Sequence, residues 1–461
     1  MPVLWADGPE PFAGALVFRV GLADETLATL GLSHFVEHLA LHRGGRRRFD
    51  VNGFVDETRT VFWAAGTREE VCGFLSDVAA AIGSLPLERL DTERRVLLTE
   101  AQGRAAHPLG LLLRCRFGVT GFGLLDCVEL GLRRVDVDEV AAWAREWFTS
   151  GNAAVWLTGP PTDDFSLPLP EGARRLQPEA TPIPGLELPA HLETGSGAVQ
   201  LAFLAPRSVA AAAAAELAGE RADEDLRTHA GLSYAAGGLY WPLTATTAHL
   251  SWRADCLDEH ALEVRARLLA ALESLGNDGP TSEELANYAA RSRRMFADPR
   301  AVPGYLDSRV HNLLIGAVQD TPEKLLDRVA SLTSDDVAAV VRKGLPTMLL
   351  VSPERTPPPA RGFLPSLEGS DRMTPVDGVV YQTKGWRSKS RIVVGPAGSS
   401  FVDDASGAVV TILAETSSPC SHSEPGACQS PAPPAPTSSW TPGASTTATS
   451  SWRTSAAASP T

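Results

Sequence analysis

Short runs rich in Val and Phe alternate with stretches of helical spacing through the first 160 residues. The run GALVFRVGL (14–22) has the composition of a strand with glycine at its ends. The next stretch, LGLSHFVEHLALHR (30–43), places its apolar residues on one helical face. A turn and extended segments then follow in FDVNGFVDETRTVFWAAGT (49–67). This order predicts a mixture of strands and helices.

Capping signals add three further helices to this first part. Thr67 followed by Glu70 is the pattern of a capping box, which marks the start of a helix. A second helix is predicted to begin near Pro86, and a third to cover residues 136–150. The strand NAAVWLTG (152–159) closes the series. We therefore expect a first domain at 1–160.

The same order of elements returns after a Pro-rich segment. Residues 161–195 contain seven prolines and little periodicity, which predicts a linker. From 196 to 356 the pattern runs strand, helix, strands, helices, strand, as it does in the first domain. This repetition indicates an internal duplication and a second, homologous domain.

The last part of the chain has a different character. Residues 375–413 could form a small β segment, whereas residues 414–461 are almost entirely Ser, Pro, Ala and Thr. Such a composition cannot bury enough apolar surface to fold and predicts disorder. The tail is either a disordered appendage or an out-of-frame reading of a domain that should continue.

Composition narrows the possible partners. The formal net charge is −14 and the only basic run is short, so we expect no nucleic-acid or anionic-membrane partner. The start of the chain does not have the pattern of a signal peptide, and no segment has the length of a membrane span. The six cysteines form no C-x-x-C pair, which favours a reducing, cytoplasmic location.

The stretch GLSHFVEHLAL contains a candidate metal site. On a helix, His34 and His38 face the same way with Glu37 beside them, so both imidazoles can reach one cation. A chance H-x-x-E-H arises in about one chain of this kind in a hundred, so the motif needs support. The predicted helix TERRVLLTEAQ offers Glu93 and Glu100 two turns apart, either of which could be the third ligand that zinc hydrolases use.

These two stretches resemble the inverted-zinc-motif metallopeptidases, the group of pitrilysin, insulin-degrading enzyme and mitochondrial processing peptidase. The resemblance implies that His34, His38 and Glu100 bind one Zn²⁺ per chain. Glu37 would then be the general base, and Glu93 would support the site. It also implies an α+β fold of two homologous α/β domains, each a mixed sheet with helices on one face, that together form half a clamshell.

Two further stretches resemble the family's substrate-binding segments. NGFVDETRTVFW is similar to its edge strand that pairs with the substrate backbone, which implies a substrate role for Asn52 and Gly53. LRTHAGLSYAAGGLY resembles its second-domain signature, in which Arg227 and Tyr234 would reach the bound peptide. Such two-domain chains usually pair, so we expect a homodimer, or a heterodimer with a related subunit.

Some features depart from the family pattern. The separation of His38 and Glu100 is 62 residues, shorter than is usual, and Gly53 stands where alanine is common. Neither change removes a ligand, so the leading hypothesis is a zinc peptidase acting on peptides. One alternative is a non-catalytic or partner-dependent subunit of a processing-peptidase-like complex. Another is a purely structural zinc, which would need a fourth protein ligand such as His42.

Overall fold

The first half of the chain forms a five-stranded mixed sheet with strand order β1-β5-β2-β4-β3. In this computed structural model the chain is described over residues 1–42, 48–105, 107–183, 186–194, 197–353, 356, 363–365, 375–382, 390–396, 398–403 and 408–413. The five strands are β1 (Val3–Trp5), β2 (Phe12–Phe18), β3 (Asp50–Val55), β4 (Thr60–Gly66) and β5 (Ala153–Leu157). Strands β1 and β5 are parallel, and the other neighbours are antiparallel.

Helices α1 (Leu32–His42), α2 (Arg68–Ile82), α3 (Leu90–Gly103), α4 (Gly110–Phe117) and α5 (Val137–Trp147) complete this half. The capping box predicted at Thr67 is present, with the Glu70 amide donating to the threonine hydroxyl at 3.2 Å. The helix predicted near Pro86 begins as a short 3₁₀ turn before α3, because proline is tolerated at a helix start but not inside it.

The second half repeats this arrangement. Its strands are β6 (Ala190–Thr194), β7 (Ala198–Pro206), β8 (Ala236–Pro242), β9 (Thr247–Asp255), β10 (Leu349–Pro353) and the short β11 (Leu364–Pro365). Its helices are α6 (Val209–Asp223), α7 (Ala261–Asp278), α8 (Ser282–Ala297), α9 (Val302–Leu314), α10 (Pro322–Ala330) and α11 (Ser334–Gly344). The predicted linker ends in strand β6, whose sequence AHLET carries no clear strand pattern.

Apart from the short outer strand β11, which has no counterpart among the described strands of the first sheet, the two sheets have the same strand order. The second sheet runs β11-β6-β10-β7-β9-β8, so β6, β10, β7, β9 and β8 correspond to β1, β5, β2, β4 and β3. The parallel pair is also repeated, since β6 pairs parallel with β10. The predicted α+β fold with two mixed sheets is confirmed.

Each half contributes one helix that packs against the sheet of the other half. One face of the first sheet packs with α1, α2 and α5, but its opposite face packs against α9 through Leu306, Val310 and Leu314. Arg59, at the tip of the β3–β4 hairpin, also forms an ion pair with Asp307 of α9 at 2.6 Å. The first sheet is thus covered by helices on both faces, one of them from the second half of the sequence.

The reciprocal contact is made by α4. Arg116 on this helix is buried, and its guanidinium donates to the carbonyls of Ala202 on β7 and Thr347 before β10, at 3.2 and 3.0 Å. Leu113 and Phe117 of the same helix pack with apolar residues of the second sheet. The exchange of α4 and α9 leaves each sheet dependent on the other half.

The described residues after Pro365 belong to a separate unit. They contain a four-stranded antiparallel sheet of β12 (Val379–Gln382), β13 (Ser390–Gly395), β14 (Gly398–Asp403) and β15 (Ala408–Leu413), which confirms the predicted small β segment. The tail predicted to be disordered, 414–461, lies outside the described residues. No single helix of the described residues has the length and hydrophobicity of a membrane span; α2 and the segment up to Gly103 reach that composition only together, across an 86° bend.

Two helical glycines provide a test of the packing of α6 on β8. A Cβ added to Gly219 of α6 would lie 2.2 Å from the backbone nitrogen of Gly238, whereas one added to Gly73 of α2 would meet nothing within 4 Å. We expect Gly73→Ala to stabilise the protein by about 0.5–1 kcal/mol through helix propensity. Gly219→Ala should instead destabilise it by about 1–3 kcal/mol through the clash with β8. Denaturant unfolding measures both, and equal signs would contradict the packing.

A buried histidine predicts a pH dependence of stability. His249 is fully buried beside Arg116, no described group hydrogen-bonds either ring nitrogen, and burial lowers its pKa to about 3. Below pH 6.5 the unfolded chain therefore binds a proton that the folded protein does not. Stability should fall by up to about 1.4 kcal/mol per pH unit between pH 6.5 and about 3 from this group alone. His249→Leu should remove that part of the slope, and His229→Leu, at an exposed position, should not.

Candidate metal centre

A buried carboxylate fixes the start of α1. Glu25 accepts hydrogen bonds from the backbone N–H groups of Gly31 and Ser33 at 2.6 and 2.8 Å, and the glycine there has a φ of +113° that favours this residue type. Burial raises the pKa of Glu25 to about 7, although the hydrogen bonds from Ser33 and Gly31 act in the opposite direction. Trp143 of α5 donates to the Ser33 hydroxyl at 3.0 Å. The first turn of α1, which leads into the H-x-x-E-H motif, is therefore held from two sides.

The two histidines of α1 meet a glutamate of α3. The Nε2 atom of His34 lies 3.7 Å from Oε1 of Glu100, and that of His38 lies 3.6 Å from Oε2 of the same carboxylate. One ligand atom of each of the three residues falls within 4.8 Å of the other two. Of the described residues, these three form the one group of histidine, cysteine and acidic side chains that could hold a metal ion.

The other ring nitrogen of each histidine faces a carboxylate. Nδ1 of His38 lies 3.4 Å from Glu93, and Nδ1 of His34 lies 3.1 Å from Glu129. Metal-binding histidines typically donate their second ring N–H to a carboxylate, which fixes the tautomer and the ring orientation. Both imidazoles therefore have Nε2 available for a cation.

Glu37 is buried between the two histidines. Its side chain is 4% exposed, and Oε2 lies 3.9 and 3.7 Å from the Nε2 atoms of His34 and His38. Burial raises the pKa of Glu37 to about 7, and the nearby charge of Glu100 adds to this. A carboxyl group with such a pKa can both accept and release a proton near neutral pH.

The histidines differ in their environments. Burial lowers the pKa of His38, with the charge of His34 acting in the same direction. Burial would also lower the pKa of His34, but the hydrogen-bonded Glu129 carboxylate outweighs it and raises that pKa. Burial would raise the pKa of Glu129, but the contacts with His34 and Arg104 lower it instead.

The donor set fits a zinc ion. Two imidazole nitrogens and one carboxylate oxygen are the three protein ligands of many catalytic zinc sites, which keep a fourth position open. The carboxylates behind both rings add the supporting contacts that such sites use. His42, which a structural zinc could have used as a fourth ligand, is exposed at the end of α1 and is not in the group.

Strand β3 lies beside this group at the edge of the first sheet. No described strand pairs with its outer edge. A Cβ on Gly53 would lie 2.0 Å from Oε1 of Glu37, so the glycine directly faces that carboxylate. Asn52 is exposed, and the alternation along a strand turns its side chain to the opposite face. The two residues predicted to bind substrate thus share a strand but not a face.

Arg227 and Tyr234 lie together in the second half. Arg227 belongs to a π-helical segment, Glu224–His229, after α6, and its guanidinium stands 5.8 Å from the centroid of the Tyr234 ring. The tyrosine side chain is 74% exposed, and its backbone N–H donates to Asp255 at 2.8 Å. No described contact links either side chain to the residues of the metal group, so their role toward a peptide stays a prediction.

The sequence did not point to three charged residues near the group: Glu25, Arg89 and Glu129. Glu129 lies 95 residues after His34 in a loop with no regular periodicity. Its only local signal is a glutamate next to exposed apolar residues, Val128 and Leu130, which does not identify a contact with α1. Arg104 lies one helical turn after Glu100, and helical spacing does predict the i,i+4 ion pair of 3.2 Å between them.

No protein-family model matches the sequence, and no curated protein matches it either. Solved structures do resemble it. A protease from Helicobacter pylori superimposes with a TM-score of 0.64 at 16% identity, covering 76% of this chain and 96% of the other. The inactive domain of an M16 peptidase from Pseudomonas fluorescens gives 0.61 at 17% identity, covering 77% and 97%. The periplasmic protease PqqL from Escherichia coli gives 0.60 at 13% identity, covering 87% of this chain and 54% of its own.

The fold is therefore that of the M16, or pitrilysin-like, peptidases. The similarity covers about three quarters of the chain or more and confirms the resemblance drawn from the motifs at the level of fold. Structures with this fold include both proteases and an inactive domain. Within that fold this chain brings His34, His38 and Glu100 together as a group able to hold a metal ion.

The contact between Gly53 and Glu37 can be tested by substitution. Gly53→Ala should displace the Glu37 carboxylate and cost about 1–3 kcal/mol of stability, because the added Cβ overlaps it. Adding Glu37→Asp, which shortens the side chain, should recover most of that loss. The matched control is Gly237→Ala on edge strand β8, where a Cβ meets nothing within 4 Å. Denaturant unfolding of the wild type, Gly53→Ala, Glu37→Asp and the double variant gives the coupling, and additive effects would mean that the two residues do not touch.

Proposed function

We propose that this chain is a zinc-dependent peptidase that hydrolyses peptide bonds in small peptides or unfolded segments. The observation that carries the proposal is the convergence of two histidines and a glutamate beside a buried glutamate, Glu37. The M16 fold supports it, because this chain shares that fold with a protease from Helicobacter pylori. The three expected metal ligands and the expected general base, Glu37, are all present in this chain.

His34, His38 and Glu100 would hold one Zn²⁺ per chain. A bound zinc ion would supply Lewis acidity toward a peptide carbonyl and lower the pKa of a water molecule toward neutrality. Glu93 and Glu129 would keep the imidazole Nε2 atoms directed at the ion through their contacts with Nδ1.

Glu37 would carry the proton transfers. Its carboxylate lies within 4 Å of both imidazole Nε2 atoms, on the side of the group that strand β3 borders. With a pKa raised by burial to about 7, it can take a proton from the attacking water at Oε and return it to the leaving amine. Its burial also limits the number of side-chain positions that it can adopt.

Substrate would add as a further strand to β3. A free sheet edge binds extended peptide through backbone hydrogen bonds, which gives affinity with little sequence preference. The segment at Asn52 and Gly53 would make these bonds next to Glu37. Arg227 and Tyr234, paired through their cation–π contact, would bind the peptide from the second half.

We propose in addition that the chain forms a dimer and that it is cytoplasmic. The part of the E. coli protease that superimposes on this chain is 54% of its length, which supports pairing of two such chains as a homodimer or with a related subunit. A cytoplasmic location is supported by the composition and by the free thiols of Cys72, Cys115, Cys127 and Cys256.

A second candidate function is that of a partner-dependent or non-catalytic subunit. The similarity to an inactive M16 domain is the observation that favours it. The presence of His34, Glu37, His38 and Glu100 weighs against a loss of catalytic activity in this chain. The two functions differ in whether the isolated chain cleaves peptides.

The direct test is Glu37→Gln, with zinc content and cleavage of a quenched-fluorescent peptide library measured in parallel. We expect one zinc per chain in both wild type and variant. Hydrolysis should fall by about 10²–10⁴-fold in the variant, because glutamine cannot accept the proton of the attacking water. Removal of the metal with a chelator should abolish activity in the wild type, and added zinc should restore it.

The matched control is Glu69→Gln, an exposed glutamate of α2 outside the metal group. Its activity and zinc content should equal those of the wild type. Hydrolysis that survives both chelation and Glu37→Gln would contradict the peptidase proposal. Zinc binding without hydrolysis by the wild-type chain would favour the partner-dependent subunit instead.

A further inference from the structure

Each histidine of the metal group contacts a carboxylate of its own, and each of those carboxylates contacts an arginine of its own. The two series are His38–Glu93–Arg89 and His34–Glu129–Arg104. The outer contacts are similar, with Arg89 3.1 Å from Glu93 and Arg104 3.4 Å from Glu129. The first series comes from α3 and the turn before it, whereas Glu129 comes from a distant loop.

Glu129 is well placed to fix the ring of His34. Its side chain is 4% exposed, and its Oε1 and Oε2 atoms lie 3.1 and 3.3 Å from Nδ1 of the histidine. Neither oxygen can act on Nε2 of the same ring, which faces Glu100. The effect of Glu129 on a cation would therefore pass through the histidine.

The loop that carries Glu129 is itself anchored to the helices of the site. Arg94 of α3 donates to the backbone carbonyls of Leu132 and Val135, the latter at 2.7 Å, and its guanidinium stands 5.2 Å from the ring centroid of Phe35 on α1. The loop is thus tied to both helices that supply ligands. A carboxylate on such a support holds its position without help from a bound ion.

Arg104 joins this carboxylate to the third ligand. One of its nitrogens lies 3.2 Å from Oε1 of Glu100 and, at the longer distance of 3.5 Å, near Nδ1 of His34. Another lies 3.4 Å from Oε1 of Glu129, whose oxygen is closer to that Nδ1, at 3.1 Å. A shared guanidinium offsets the repulsion between two carboxylates that face one imidazole from opposite sides. Glu129 is therefore part of a charge arrangement that includes a ligand and not a lone buried acid.

We propose that Glu129 is a positioning residue of the metal centre, which accepts the Nδ1–H of His34 and so keeps its Nε2 lone pair directed at the ion. This role rests on the proposed zinc site. It makes Glu129 the counterpart of Glu93, so that both imidazoles have a fixed tautomer. The competing explanation is that Glu129 only pairs with Arg104 and stabilises the fold.

The test measures zinc affinity and folding separately in the full chain. Zinc dissociation constants come from competition with a chromophoric chelator, and folding comes from thermal unfolding of the metal-free proteins. Glu129→Leu should weaken zinc binding by about 10–100-fold. Glu129→Gln keeps an oxygen that can accept the Nδ1–H and should recover most of that loss. Glu69→Gln is the control and should bind zinc as the wild type does.

A second measurement reads the tautomer without any metal. In ¹⁵N-histidine NMR of the metal-free wild type, His34, assigned by its absence in His34→Gln, should carry its proton on Nδ1 when neutral. Glu129→Leu should shift that tautomer toward Nε2–H, and Glu129→Gln should not. The zinc-affinity and NMR measurements are independent, so a Glu129 variant that cannot be studied by one of them can still be assessed by the other.

The outcomes separate this proposal from the peptidase proposal. A wild-type chain that binds zinc without hydrolysing peptides, together with weakened binding in Glu129→Leu, would sustain the positioning role and not the peptidase. Unchanged zinc affinity and tautomer in Glu129→Leu, with only a lower melting temperature, would overturn the positioning role. A wild-type chain that binds no zinc would overturn both.

Discussion

Four carboxylates lie within a few ångströms of two imidazole rings, and three of the four are largely buried. They belong to Glu37, Glu93, Glu100 and Glu129. Ionised groups in a poorly solvated region are strongly unfavourable unless they are paired, and like charges raise the cost further. Each of these groups has a partner, and their contacts join α1, α3 and the loop of Glu129.

The pairing explains why several separate elements meet at one place. Arg89 and Arg104 supply positive charge from the two ends of α3, while α1 supplies the histidines. Glu37 contacts the histidines but no arginine among the described contacts, and it is the carboxyl whose pKa rises to about 7. Glu37, the carboxyl without a described arginine partner, is thus the one best suited to exchange protons near neutral pH. The same cluster therefore contains carboxylates that stay charged and one that titrates.

How far the sequence predicts this arrangement depends on the range of each interaction. Helical spacing places His34 and His38 on one face of α1 and offers Glu93 and Glu100 on one face of α3, whereas the choice of Glu100 as the ligand came from the family resemblance. The capping box at Thr67 is equally local. Glu129 could not be found, because its contact with His34 spans 95 residues and its loop has no periodic pattern. The two sheets were predictable from repeated element order, but the exchange of α4 and α9 was not, since nothing in an amphipathic helix specifies which sheet it will cover.

The exchange of α4 and α9 determines whether either half of the chain can fold without the other. Each half has a main core of its own residues, but one sheet face in each half is covered by a helix from the other half. Cutting the backbone in the connection between β5 and β6 would leave two fragments still held by these helices and by the Arg59–Asp307 ion pair. Conversely, a gene encoding either half alone would yield a polypeptide with an uncovered sheet face. The duplicated halves are therefore obligate complements of each other, and neither is an interchangeable module.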